Sequence, residues 1–157
     1  MKPQISYTVD EATRKMEHYC AYQERCHKEV ISKLTAMKMI PLAIDTIVAH
    51  LIEHNFLNEE RFAKEFARGK FRVKKWGRKR IERELKLREI SRFNIRTAME
   101  EIPENSYINT LHELASRRLE SLREPNKLKA KKKLADYLLY RGWESHLVYE
   151  KINELID

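Results

Sequence analysis

Apolar residues return in register three times along this chain, and that repetition restricts the fold more than any single motif does. A shift of 51 positions carries Val30, Leu34, Met39, Ile44, Val48 and Leu51 onto Ile81, Leu85, Ile90, Ile95, Met99 and Ile102. A further shift of 53 carries these onto Leu134, Leu138, Trp143, Val148, Ile152 and Leu155. The spacing within each copy is that of paired amphipathic helices. A unit of about 50 residues buries too little apolar surface to be stable alone, so the copies are expected to pack in a row.

Each copy reads as a long first helix laid against the helix pair that carries the repeated positions. The first helices have their own stripes: Ala12, Met16, Tyr19 and Cys20; then Phe62, Phe66 and Val73; then Ile108, Leu111, Ala115, Leu119 and Leu122. Asn55 can end a helix, Asn58 can cap the next with Glu59 and Glu60 in its first turn, and Ser91 can cap another. Pro41, Pro103 and Pro125 fall between proposed helices, where a missing N–H costs little. The expected fold is all-α: three tandem three-helix repeats in an elongated, curved helical array. The units are placed at residues 10–56, 57–103 and 104–157, after a tail over residues 1–9.

Composition removes several classes of function. With only 3 glycines, Gly69, Gly77 and Gly142, the chain has neither a Walker loop nor a dinucleotide fingerprint. There is no Gly-flanked serine nucleophile, and the glutamates sit at positions where solvated helix surface accounts for them. No apolar run is long enough to span a membrane, and Met1 to Ile5 lacks the start of a secretory signal, so a cytoplasmic protein is expected. Cys20 and Cys26 suit reduced thiols better than a disulfide or a zinc pair. The segment His50-Leu51-Ile52-Glu53-His54 formally fits an H-x-x-E-H metal pattern. It lacks an evident third ligand; His54 suits the negative end of a helix dipole and His50 flanks the buried stripe. No metal, cofactor or catalytic residue is assigned, and the protein is expected not to be an enzyme.

Charge points to a partner. The net charge is +8, yet between Arg61 and Arg96 there are 15 Lys or Arg against 4 Glu, a local balance of +11 that leaves the remainder slightly acidic. Arg68, Lys70, Arg72, Lys74, Lys75, Arg78, Lys79 and Arg80 fall within thirteen residues free of acidic side chains, with Arg83 just beyond. Such density is best tolerated beside a polyanion, whose phosphates exchange bound counterions for the protein's charges. Trp76, and Phe71 near it, can stack on a base or a partner; Trp76 can equally pack between bundles. A second run, Lys127, Lys129, Lys131, Lys132 and Lys133, either extends the basic track or is a solvated helix face.

The segment Leu57-Asn58-Glu59-Glu60-Arg61-Phe62-Ala63, followed by Phe66, Arg68, Gly77, Arg80-Ile81 and Leu85, resembles the signature of the RecX family. The likeness is strongest over Leu57 to Ile102. It implies a bacterial regulator of the RecA recombinase, made of tandem three-helix repeats, that lodges against the RecA filament on single-stranded DNA and restrains it in recombination, DNA repair and the SOS response. Arg61, Phe62, Phe66, Gly77, Ile81 and Leu85 would hold the central repeat. Arg68, Lys70, Arg72, Lys74, Lys75, Trp76, Arg78, Lys79, Arg80 and Arg83 would face filament and nucleic acid by electrostatic contact. No membrane partner is implied, and a monomer is expected. The alternative is a stand-alone DNA-binding module gripping phosphates. The sequence departs from the expected pattern at the turn inside the helix pair, where glycine stands only in the last copy, at Gly142.

Overall fold

The computed structural model describes residues 6–157, and the reading of Met1 to Ile5 lies outside them. Among the described residues there are nine α-helices and no strand: α1 (Val9–Tyr22), α2 (His27–Ala36), α3 (Pro41–Glu53), α4 (Glu59–Lys74), α5 (Arg78–Leu87), α6 (Arg92–Met99), α7 (Glu104–Leu122), α8 (Lys127–Tyr140) and α9 (Ser145–Leu155). They form three consecutive units of three. The surface area of 10566 Å² exceeds the roughly 8300 Å² of a compact monomer of this mass, as an extended array requires.

Local chemistry sets the boundaries. Thr8 and Glu11 close a capping box on α1, Asn58 accepts from the Arg61 amide at 2.9 Å, and Ser91 accepts from the Asn94 amide at 3.2 Å. Pro41 is the first residue of α3, where its fixed φ suits the helix. Asn55 ends the first unit in the left-handed region, φ 63°.

The repetition is preserved bond for bond at the turn inside each pair. Lys38, Glu89 and Gly142 stand at equivalent positions and all have positive φ, 65°, 61° and 91°. The following amide returns to the carbonyl five residues back in every copy: Met39 to Leu34, Ile90 to Leu85, and Trp143 to Leu138, at 3.1 to 3.2 Å. This is a Schellman closure, for which glycine is the usual choice and lysine or glutamate a costly one. Glycine's absence from the first two copies therefore leaves the turn unchanged.

The repeated positions are buried or packed against the core in all three units. One stripe position departs from expectation: Val73 is 68% exposed. The reason is the groove that this face of α4 leaves open toward α2, where Val73 stands on the wall with Phe66 and Gly69. α4 and α6 lie side by side in the same direction, since the Asn94 side-chain amide donates to Glu59 at one end and Arg68 pairs with Glu101 at the other. With 8 residues against 16, α6 ends before the last turns of α4. Ala63 and Ala67, fully buried, lie on another face of α4 from Val73.

Two cores result. The first unit has its own, built on Met16, Leu34, Ile47, Leu51 and Leu57. The second and third share one continuous core that runs from Phe62 through Ile81 and Tyr107 to Trp143 and Ile156, joined from the first unit, among the described residues, only by Cys26. Arg61 pairs with Glu24 at 2.5 Å and Lys28 donates to the Leu87 carbonyl at 2.9 Å, adding polar ties between the first unit and the second.

Candidate nucleic-acid interface

The basic stretch occupies the last half of α4, a three-residue link and the first turns of α5. Lys75 closes α4 in the left-handed region, φ 59°, with its amide on the Phe71 carbonyl. The chain then reverses through Trp76 and Gly77 onto the third unit.

That docking explains Gly77. Its amide donates to the Arg141 carbonyl at 2.9 Å, and the Lys79 amide donates to the Gly142 carbonyl at 3.0 Å. Between them the Arg78 amide donates to the Tyr107 hydroxyl at 2.9 Å. The N-terminal amides of α5, normally capped from within, are thus satisfied by the neighbouring unit. From the other side the Arg141 guanidinium donates to the Lys74 carbonyl at 2.8 Å and the Trp143 indole to the Lys75 carbonyl at 3.2 Å. Phe71, Tyr107 and Trp143 run through the seam, with Tyr107 stacked on Trp143 at 4.4 Å between ring centroids.

The ten cationic or aromatic residues expected at the interface do not share one fate. Arg78 turns inward: it pairs with Glu144 at 3.0 Å and with Glu104, and its guanidinium lies over the Tyr107 ring. The Tyr107 hydroxyl donates to Glu144, and burial pushes the phenol far above its ordinary value. Arg68 pairs with Glu101 at 3.0 Å across a half-open surface. Lys70, Arg72, Lys74, Lys75, Lys79, Arg80 and Arg83 make no ion pair with any described residue. Trp76 is half-buried, edge-on to Phe66, with Lys70 and Arg80 against its ring. Phe71 packs on Tyr107.

Lys70 and Lys74, one helical turn apart, also line a groove of about 1070 Å³ between α2 and α4, with Phe66, Gly69 and Val73 on the same wall. The second basic run lies elsewhere. Lys127 to Lys133 open α8, whose far end carries Arg141 at the seam; at 1.5 Å per residue they sit about 10 to 20 Å along the axis from it. Lys132 pairs with Asp136 and Lys133 with Glu124, leaving Lys127, Lys129 and Lys131 without an ionic partner among the described residues. His50 bonds to Glu17 at 3.1 Å and its ring lies tilted against that of His54; no group of three metal-ligating side chains occurs among the described residues. No helix there is long and apolar enough to cross a membrane.

Sequence reasoning missed Tyr107 and Glu144. Tyr107 fell one residue before the stripe assigned to α7. Glu144 carried no signal in a chain with so many solvated carboxylates.

Two family models match the chain in tandem: RecX, second three-helix domain, over residues 58–99, and RecX, third three-helix domain, over residues 105–152. The chain belongs to the RecX family. It is 30% identical over 117 residues to the regulatory protein RecX of Yersinia enterocolitica, covering 74% of this chain and 68% of that one. The regulatory protein RecX of Clostridioides difficile is 22% identical over 146 residues, or 93% and 68%. Against that of Bacillus cytotoxicus, 23% identical, the chain spans about half of the relative's length, 51%. A crystal structure of RecX from Lactobacillus salivarius superposes with a TM-score of 0.82 at 21% identity, covering 94% of this chain and 96% of that one. A second crystal structure, of a regulatory protein RecX, gives 0.83 at 20%, covering 93% and 73%. At those identities the superpositions establish the shared helical-repeat fold. In this RecX chain the residues that carried the family likeness are mostly interior: Phe62, Ile81 and Leu85 are buried, Phe66 packs against the same core, and Gly77 is the close contact between units.

Proposed function

We propose that this chain is a non-enzymatic regulator of RecA that binds the RecA filament on single-stranded DNA and restrains its recombinase and ATPase activity. The observation that carries this reading is the set of seven cations in the basic stretch, Lys70, Arg72, Lys74, Lys75, Lys79, Arg80 and Arg83, that have no ionic partner among the described residues. They are mounted on α4, α5 and the link between them, in a unit whose core continues into the third, so their spacing is held by the fold and their order costs little on binding. Unpaired like charges held together lower stability in isolation and favour a polyanionic neighbour. The extended shape suits a long ridged partner more than a short duplex site.

The test adds the protein to RecA filaments on single-stranded DNA and follows ATP hydrolysis and strand exchange at several salt concentrations. Inhibition of both, strongest at low salt, is expected. Unaltered RecA activity at every salt concentration contradicts the proposal. The second reading, a stand-alone DNA-binding module, is favoured by the same free cations and predicts equal affinity for naked DNA and for filament.

A further inference from the structure

Arg80 is set apart from the other cations by its surroundings. Its Nε is buried with no hydrogen-bond partner, and it makes no ion pair with a described residue. Its guanidinium instead lies against two rings from different units, 4.3 Å from the centroid of Trp76 and 5.1 Å from that of Tyr140. An arginine held on aromatic faces keeps the donors of its fork free for an anion. Its backbone cannot move away: a Cβ on Gly142 would stand 2.8 Å from the Arg80 Cα, so the first turn of α5 rests directly on the α8–α9 turn.

Tyr140 is the second anomaly. It is the last residue of α8 and 75% exposed, and its hydroxyl makes no hydrogen bond with a described residue. The repeat does not call for an aromatic there, because the equivalent positions hold Ala36 and Leu87. A large ring is thus kept in water at the seam beside an unpaired guanidinium, with the exposed Lys79 adjacent in sequence. A largely exposed ring with a guanidinium against one face matches an unstacked base on its other face and that base's phosphate on the cation, a combination that single strands offer and duplexes do not.

We propose that Tyr140, with Arg80 and Trp76, forms a stacking site for an unpaired nucleobase of single-stranded nucleic acid, whose neighbouring phosphate is held by Arg80 and Lys79. This deepens the polyanion-binding reading and rests on it. The site needs both units, so it exists only while the Gly77–Gly142 seam is closed.

The experiment compares binding of the full chain to oligothymidylate and to an abasic deoxyribose-phosphate oligomer of equal length, which carries the same phosphates without bases. The wild type is expected to prefer oligothymidylate by about fivefold or more. Tyr140→Ala is expected to lose that preference with its affinity for the abasic oligomer unchanged, and Tyr140→Phe to keep it. Because Tyr140 is exposed, its replacement leaves the core intact, which the thermal unfolding midpoint checks. Equal wild-type affinity for the two oligomers, or a preference that survives in Tyr140→Ala, overturns the stacking site while the charge-based reading stands. Failure to bind either oligomer removes the stacking site together with direct nucleic-acid contact by the basic stretch.

Discussion

Gly77 and Gly142 meet backbone to backbone, and neither has room for a side chain. A Cβ on Gly77 would lie 2.5 Å from the Trp143 amide nitrogen and overlap the Gly142 carbonyl; one on Gly142 would strike Arg80. Gly142 also has φ +91°, which L side chains rarely adopt. Gly77→Ala and Gly142→Ala are each expected to lower stability by about 2 to 4 kcal/mol in urea denaturation, with Gly142→Ala the worse for its backbone strain. Gly69→Ala, with open space at its Cβ and a helical backbone, is expected to raise stability by up to about 1 kcal/mol.

The Lys38 and Glu89 turns give the opposite case. Both hold the left-handed conformation that Gly142 adopts without penalty. Lys38→Gly and Glu89→Gly are expected to stabilise the chain by about 0.5 to 1 kcal/mol each, the relief of strain exceeding the added freedom of the unfolded state. Thermal unfolding midpoints check this, and a lowered midpoint in both variants contradicts the strain assigned to these turns.

Arg78 belongs to the expected binding stretch, yet its role in the structure is to join units. Arg78→Ala is expected to cost about 2 kcal/mol, most of it from leaving the largely buried Glu144 unpaired, because the Glu104 side is open to water. Arg78→Lys is expected to recover little, since one ammonium does not reproduce the fork that serves two carboxylates and stacks on Tyr107. Tyr107→Phe removes the hydroxyl shared by the Arg78 amide and Glu144 and is expected to cost about 1 to 2 kcal/mol. Denaturation curves of the three variants rank these effects.

Cys26 predicts an alkaline limit to stability. It is fully buried, and burial pushes its thiol from 9.0 to about 11. As pH rises through this range the unfolded chain loses the proton first while the folded chain retains it, so the native state binds more protons and stability falls with pH. Burial shifts Cys20 in the same direction. The urea midpoint is expected to decline between about pH 9 and 11, and Cys26→Ala to show a shallower decline than the wild type. Equal slopes would remove Cys26 from the account.

Much of this fold was legible because burial at Val30, Ile81 and Leu134 and their companions follows directly from periodicity, which one sequence displays in full. The turns at Lys38 and Glu89 were not, since their conformation is enforced by the helices on either side against the preference of the residues themselves. Val73 was misplaced because a stripe reports one face of a helix but not whether a neighbouring helix closes over all of it. The candidate site was visible as charge and hidden as geometry: only folding shows that Arg78 faces Glu144, that Lys70 and Lys74 look into a groove, and that Tyr140 comes from the third unit to meet Arg80.

One affinity measurement decides whether the free cations around the α4–α5 link hold a RecA filament. Lys74, Lys75, Lys79 and Arg83, unpaired and exposed, are all changed to Glu while Arg78 is left to preserve the seam. Binding of this variant and of the wild type is measured on RecA filaments assembled on single-stranded DNA and on the same DNA without RecA, across a range of salt. The wild type is expected to bind filament more tightly than naked DNA, and the variant to lose at least about tenfold in filament affinity together with most of the salt dependence. Unchanged filament affinity in a variant that unfolds at the wild-type temperature would contradict the account.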